Sequence, residues 1–202
     1  MQALSQSIQL AQSGQNFVLA DPYSSQIKPN VININNYRGA IKYELSSTRF
    51  PNAPFKNYAT TWDDVSKRIN KSSSFGGELD KTGYFMDDLL KVIETSSDEY
   101  QRVSSIYNYI KSKVTWNEYY GKYTDKGVKK AYNDGIGNAA EINLILTAML
   151  RSAGLNANPV LVSTKTNGIP LFPTLNGFNY VISMVEFTDN SYILLDATEP
   201  YA

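Results

Sequence analysis

The strongest pattern in the chain is a long apolar run between two glycines, over residues 137–154. Its apolar side chains recur at the spacing of a wide, buried helix face: Ile142, Ile145, Leu146, Met149, Leu150 and Ala153. Asn138 suits the N-cap, Glu141 suits the third helical position of a capping box, and Gly154 suits the left-handed residue after the helix. The pattern predicts a central core helix over 138–153.

Shorter amphipathic patterns precede this helix and predict three more. Thr61 is the predicted N-cap of the first helix, and Asp64 is its capping-box partner. The apolar face of this helix holds Trp62, Val65 and Ile69. A second helix lies near residues 86–94, with Leu89, Leu90 and Ile93. A third begins at 96–99 and carries Val103, Ile106, Tyr107, Ile110 and Val114. Residues 115–137 are predicted to be a loop with one helical turn near 128–132.

Three apolar segments after Gly154 predict strands, at 159–164, 178–185 and 191–196. The short link around 188–190 favours an antiparallel meander that follows the helices, which is an α+β fold. Residues 165–176 are predicted to be a long surface loop. An alternating pattern from Ala40, with Ile41, Tyr43 and Leu45 on one face, predicts one further strand. The first 40 residues are predicted to be an extended arm with short strands, and residues 50–55 a loop.

Composition narrows the classes of function. The charges of nineteen basic and nineteen acidic residues cancel. The chain therefore has no net positive charge that would attract nucleic acid or an anionic membrane. No apolar run reaches the roughly 20 residues that span a bilayer, and the first residues show no signal peptide. The Lys129-Lys130 pair is interpreted as a solvated patch.

The sequence contains no cysteine and no histidine. This excludes disulfides, thiol nucleophiles, imidazole bases and Cys/His metal sites within the chain. No cofactor-binding or metal-binding motif is present, so neither a cofactor nor a metal is expected.

The order of several short motifs resembles the bacterial transglutaminase-like superfamily, which has a papain-like fold. The matching segments are 137–141, 149–155, 159–160, 178–182 and 194–198. The resemblance covers about residues 97–202 and implies a central buried helix packed on an antiparallel sheet. It also implies a cysteine nucleophile at the helix start, a histidine on one strand and a carboxylate on the next.

The sequence departs from the family at two of these three positions. Ala139 stands where the family has its cysteine, Tyr180 stands where it has histidine, and Asp196 fits the carboxylate. A methyl group cannot attack a carbonyl, and a phenol with a pKa of about 10 is a poor base at neutral pH. We therefore predict no catalytic residues, and a vestigial cleft lined by Trp116, Asn138, Ala139, Tyr180 and Asp196.

The N-terminal part resembles, less specifically, the region before transglutaminase-like domains in large bacterial cell-envelope proteins. The residues that carry this are 35–38, 43–45 and the helix at Trp62. We predict an arm over 1–60, a transglutaminase-like domain over 61–202 with its motif core at 97–202, and flanking domains in the same polypeptide. A longer exported protein would place the domain in the periplasm or at the cell surface.

Three functions stay open from the sequence. The leading hypothesis is a catalytically inactive module that binds or scaffolds, with a peptide or glycan held in the vestigial cleft. The alternative is a hydrolase of a peptide, a cell-wall amide or a glycosidic bond that uses the Glu141 and Asp196 carboxylates. The third is a purely structural spacer. Glu141 is favoured as the capping partner, whereas Asp196 either bonds the Tyr180 hydroxyl or caps a turn.

Overall fold

A computed structural model describes residues 61–198 without a gap, residues 47–58, and a few positions before them. Those earlier positions are Phe17, Val18, Asn33, Asn36, Ala40, Ile41 and Leu45. The chain forms two compact units. One combines Met1–Val65 with Thr164–Gly177, and the other combines Ser66–Ser163 with Phe178–Ala202.

The first unit contains two small antiparallel pairs. Strand β1 (Phe17–Val18) pairs with β2 (Ala40–Ile41), and β3 (Ser47–Thr48) pairs with β4 (Lys56–Asn57). The loop after residue 164 belongs to this unit, because the Asn33 amide donates to the carbonyl oxygen of Lys165 at 2.9 Å.

The strand predicted from Ala40 is present at Ala40–Ile41. Its predicted position Leu45 is exposed and lies outside any strand, because the alternating pattern does not fix how far pairing extends. Residues 42–44 and 35, 37 and 38 lie outside the described part, as does most of the predicted arm.

Six helices are described in the chain from residue 61 onward. They are α1 (Trp62–Asn70), α2 (Gly76–Leu79), α3 (Met86–Ile93), α4 (Glu99–Lys113), α5 (Val128–Asp134) and α6 (Ala139–Ser152). The predicted Thr61 cap is present, since its hydroxyl oxygen accepts from the Asp64 N–H at 3.1 Å. Asp98 caps α4 in the same way, accepting from the Gln101 N–H at 2.8 Å.

Two residues predicted on buried helix faces are not buried. Trp62 is 41% exposed and Leu90 is 61% exposed. Helical spacing shows which residues share a face but not how far the neighbouring elements cover it. The short helix α2 was not predicted, and α5 is longer than the single turn expected.

The predicted meander is confirmed in the second unit. Strands β7 (Asn156–Val162), β8 (Tyr180–Glu186) and β9 (Tyr192–Leu195) pair antiparallel in that order. A two-residue parallel pair, β5 (Thr115–Trp116) with β6 (Ile136–Gly137), lies where only a loop was predicted. The fold is therefore α+β, as the sequence indicates.

Helix α6 is the core of the second unit. It packs on β7 and β8 and also contacts α4 and α5, so every residue from Ala139 to Leu150 is buried. The predicted ends are confirmed, because Asn138 and Glu141 form a capping box and Gly154 has a φ of 82°. None of the described helices is both long enough and apolar enough to cross a bilayer.

The Glu141 carboxylate is the most heavily bonded group at the start of α6. One oxygen accepts from the backbone N–H groups of Asp125, Lys126 and Gly127 at 3.1, 2.7 and 3.1 Å. The other accepts from the Asn138 N–H at 2.8 Å. Because the side chain is almost fully buried, these four donors replace the water that a carboxylate needs. Glu141 therefore fixes the preceding loop to the helix.

Replacing Glu141 by glutamine tests this role. The shape stays the same, but an NH₂ donor then faces backbone N–H donors. We expect Glu141→Gln to lower the free energy of unfolding by about 3 kcal/mol, measured by urea denaturation. The exposed Glu94→Gln is the matched control, with an expected effect within about 0.5 kcal/mol. Equal effects of the two changes would contradict a structural role for the Glu141 charge.

Candidate functional site

Ala139, the residue that the sequence resemblance aligns with the family's cysteine, is the first residue of α6 and is fully buried. Its backbone N–H, which points out of the helix start, donates to the carbonyl oxygen of Tyr119 at 3.2 Å. A helix start of this kind offers its free N–H groups to an anion or a developing negative charge. Here a carbonyl of the same chain occupies the first of them.

A tight turn places that carbonyl. The backbone at Glu118 has a φ of 65°, and the Asn117 side chain accepts from the Tyr119 N–H at 3.0 Å. The Trp116 indole N–H also donates to the Tyr119 carbonyl, at 3.3 Å. The segment after β5 is thereby folded over the start of α6. Sequence reasoning missed Tyr119, since a backbone contact leaves no trace in residue type.

Tyr180 and Asp196 meet directly. The Tyr180 hydroxyl donates to Asp196 Oδ2 at 2.9 Å and lies 2.5 Å from the Thr198 hydroxyl oxygen. Asp196 Oδ1 accepts from the Thr198 N–H at 3.1 Å and from its hydroxyl at 2.8 Å. The two roles considered for Asp196, partner of Tyr180 and turn cap, are both present at once.

Asn143 completes this cluster from the central helix. Its amide donates to Asp196 Oδ1 at 2.9 Å and to the Val181 carbonyl at 3.0 Å. Its own oxygen accepts from the Ala197 N–H at 3.0 Å. Asn143 is fully buried. It holds Asp196 in place, and its position as a polar break in an apolar helix was the available signal.

Asn138, which the sequence predicts in the cleft lining, caps the central helix. It is almost fully buried, its oxygen accepts from the Glu141 N–H at 2.8 Å, and its amide donates to the Tyr123 carbonyl at 3.1 Å. Both ends of its side-chain amide therefore bond to the backbone.

Aromatic rings lie beside the cluster. The Trp116 ring contacts the Tyr120 ring edge-on at 5.0 Å between centroids, and Tyr120 contacts Tyr180 at 5.6 Å. Tyr119 and Tyr120 are 63% and 56% exposed, whereas Tyr180 is buried. Of the predicted cleft residues, Trp116 and Tyr180 are thus linked through Tyr120, which the sequence did not single out.

The surroundings of the Tyr180 hydroxyl favour its protonated form, which donates a hydrogen bond. Burial raises the pKa of its phenol, and the nearby Asp196 charge raises it further. The hydroxyl therefore keeps its proton at neutral pH and cannot act as a base. Within the described ranges, no group of three or more carboxylates could hold a metal ion.

The raised pKa of Tyr180 predicts how the stability of the protein depends on pH. A group whose pKa is raised on folding stabilises the protein fully below its unfolded pKa, about 10 for tyrosine, and loses that contribution as pH rises further. We expect Tyr180→Phe to cost about 1.5 kcal/mol at neutral pH, because Asp196 loses a donor. Above pH of about 10 the difference from the wild type should shrink.

Urea unfolding of both proteins across this pH range measures that difference. The other tyrosines are common to both proteins, so their ionisation cancels. A difference that stays constant or grows at alkaline pH would contradict a protonated, buried Tyr180.

A family model agrees with this architecture. The transglutaminase-like superfamily model matches residues 88–197, whereas no curated protein matches significantly. A crystal structure of a candidate protease from Parabacteroides distasonis ATCC 8503 is similar at a TM-score of 0.47 and 15% identity. That match covers 66% of this chain and 25% of the other, so this chain spans about a quarter of that protein. Since the family match runs through more than half of the 202 residues, the chain belongs to the transglutaminase-like superfamily.

Proposed function

We propose that this chain is a catalytically inactive transglutaminase-like domain that acts as a scaffolding and binding module. The observation that carries the proposal is the state of the three triad positions. Ala139 presents a buried methyl group, and the hydroxyl of Tyr180 is engaged by Asp196 and Thr198. Nucleophilic catalysis needs an activated nucleophile beside a base with a lone pair to spare, and these positions supply neither.

The hydrolase alternative depends on Glu141 and Asp196 acting as an acid and a base. Each oxygen of Glu141 accepts from backbone N–H groups, and each oxygen of Asp196 accepts from a side chain of the same cluster. A general base must reach the proton that it removes. The bonds of these carboxylates count against that role.

The contact between Tyr119 and Ala139 favours a binding surface on the exposed tyrosines outside the start of α6. The Tyr119 carbonyl sits on the Ala139 N–H, so a ligand meets the exposed rings of Tyr119 and Tyr120 before the old nucleophile position. Tyrosine rings combine an apolar face with a polar tip at low entropic cost. This surface, with Trp116 at its edge, suits a glycan or an extended peptide.

The cellular setting rests on the resemblance of the N-terminal part to cell-envelope proteins. We propose that the domain works in the periplasm or at the cell surface, as one module of a longer bacterial polypeptide. Flanking modules would then deliver it to its ligand. Without a ligand, the same features describe a structural spacer.

An activity screen tests the absence of catalysis. We expect the wild type to show no hydrolysis or transamidation of peptide amides, muropeptides or cell-wall glycans above the buffer rate. If turnover occurs, Asp196→Asn and the turn variant Asp189→Asn separate the explanations. Turnover lost in Asp196→Asn and kept in Asp189→Asn would contradict the proposal, whereas equal turnover in both would indicate a contaminant.

A binding screen tests the aromatic surface. Peptidoglycan fragments, soluble oligosaccharides and a peptide array serve as probes, read by chemical-shift perturbation. We expect Tyr120→Ala to weaken the binding of the responding probe about tenfold, as for a central aromatic contact. The control is Tyr192→Ala, which removes another exposed ring, on β9, and should leave affinity unchanged. If no probe binds, or both variants bind alike, the spacer replaces the binding module.

A further inference from the structure

A lysine-rich pocket lies in the second unit, outside the triad positions. It is an open depression with a volume of about 350 Å³. Four lysines line it, together with two carboxylates and one amide: Lys81, Lys126, Lys129, Lys130, Glu78, Asp134 and Asn133. The whole chain has no net charge, so this concentration of positive charge is local.

Glu78 contributes little free negative charge to the pocket. Its side chain is 7% exposed, and one oxygen lies 2.6 Å from the Lys81 ammonium. The other oxygen accepts from the Val128 N–H at 2.9 Å. The carboxylate is thus balanced by one lysine and the first N–H of α5.

One carboxylate oxygen of Asp134 forms ion pairs with two lysines. Asp134 Oδ2 lies 2.9 Å from the Lys126 ammonium and 3.4 Å from that of Lys130. The hydrogen bond from Lys126, followed by that from Lys130, lowers the pKa of Asp134. Lys129 is exposed, and within residues 61–198 no carboxylate lies within ion-pair distance of it. Positive charge is therefore in excess.

The backbone beneath the lysines is fixed. The N–H groups of Lys126 and Gly127 are bound by the buried Glu141 carboxylate. Gly127 has a φ of 88°, and a Cβ there would lie 3.3 Å from Glu78 Oε2. The loop therefore lies close to the Glu78 carboxylate, and the Val128 N–H bond to Glu78 holds the start of α5 there. The backbone that carries the lysines is thus positioned before any ligand arrives.

We propose that this pocket binds a phosphate group carried by a small molecule. Lys126 and Lys130 share one carboxylate oxygen, and Lys129 has no carboxylate within ion-pair distance in residues 61–198. Such ammonium groups suit a compact charge that accepts hydrogen bonds from many directions, and lysine binds phosphate as a point charge. Planar carboxylates are better matched by arginine, and no arginine lines the pocket. The site is independent of the aromatic surface and goes beyond the proposed function.

Calorimetric titration with glycerol 3-phosphate, pyrophosphate and malonate tests the proposal. We expect millimolar or tighter binding of the two phosphates at low salt, weakening as salt screens the lysines, and weaker binding of malonate. The double variant Lys129→Gln/Lys130→Gln should reduce affinity about tenfold. The charge-matched control Lys71→Gln/Lys91→Gln removes two exposed lysines outside the pocket and should leave affinity unchanged.

Asp134→Asn tests the proposal through a gain in phosphate affinity, where the lysine variants test it through a loss. It releases Lys126 and Lys130 from their internal carboxylate, so we expect phosphate to bind about threefold tighter. A merely structural role of the lysines would not produce this gain.

Four results would overturn the proposal: no binding of either phosphate, equal loss in the two double variants, malonate binding as tight as phosphate, or unchanged affinity in Asp134→Asn. Vesicles separate the two sources of phosphate. Binding to phosphatidylglycerol but not to phosphatidylcholine vesicles, without binding of glycerol 3-phosphate, would overturn the small-molecule assignment in favour of a lipid headgroup.

Discussion

A buried carboxylate at the first turn of the central helix places one full negative charge inside the second unit, and the surrounding chain is arranged to satisfy it. Glu141 reaches back to its own N-cap and outward to three successive N–H groups of the loop before α5. Leaving such a charge without partners would cost several kcal/mol, on the order of the whole stability of a domain. The loop therefore has little freedom to adopt another path.

A second polar cluster is satisfied in the same way around Asp196, which directly follows β9. Asp196 is half-buried at the end of the sheet, and a chain without histidine has no imidazole to pair with it. Asn143, Tyr180 and Thr198 donate to it instead. Each comes from a different place, namely the helix, the start of β8 and the turn after β9. The cluster thus joins the helix to the sheet.

The sequence predicts well those features that depend on neighbours along the chain. The capping box at Asn138, the cap at Thr61 and the order of the three sheet strands all follow from local residue patterns. The sequence predicts poorly those features that depend on contacts between residues far apart in the chain. The bond from Asn143 spans 53 positions, and a two-residue parallel pair such as β5 with β6 leaves no periodicity to detect.

The backbone contact at Ala139 and the loop that leads into the lysine pocket depend on the same helix start. The segment before α6 wraps this end of the helix, because the Tyr119 carbonyl binds the Ala139 N–H and the Tyr123 carbonyl binds the Asn138 amide. A few residues later, its N–H groups bind Glu141. The positive end of α6 is thus neutralised by atoms of its own chain. The same backbone contacts fix the segment that carries the exposed Tyr119 and Tyr120 rings and, further along, Lys126.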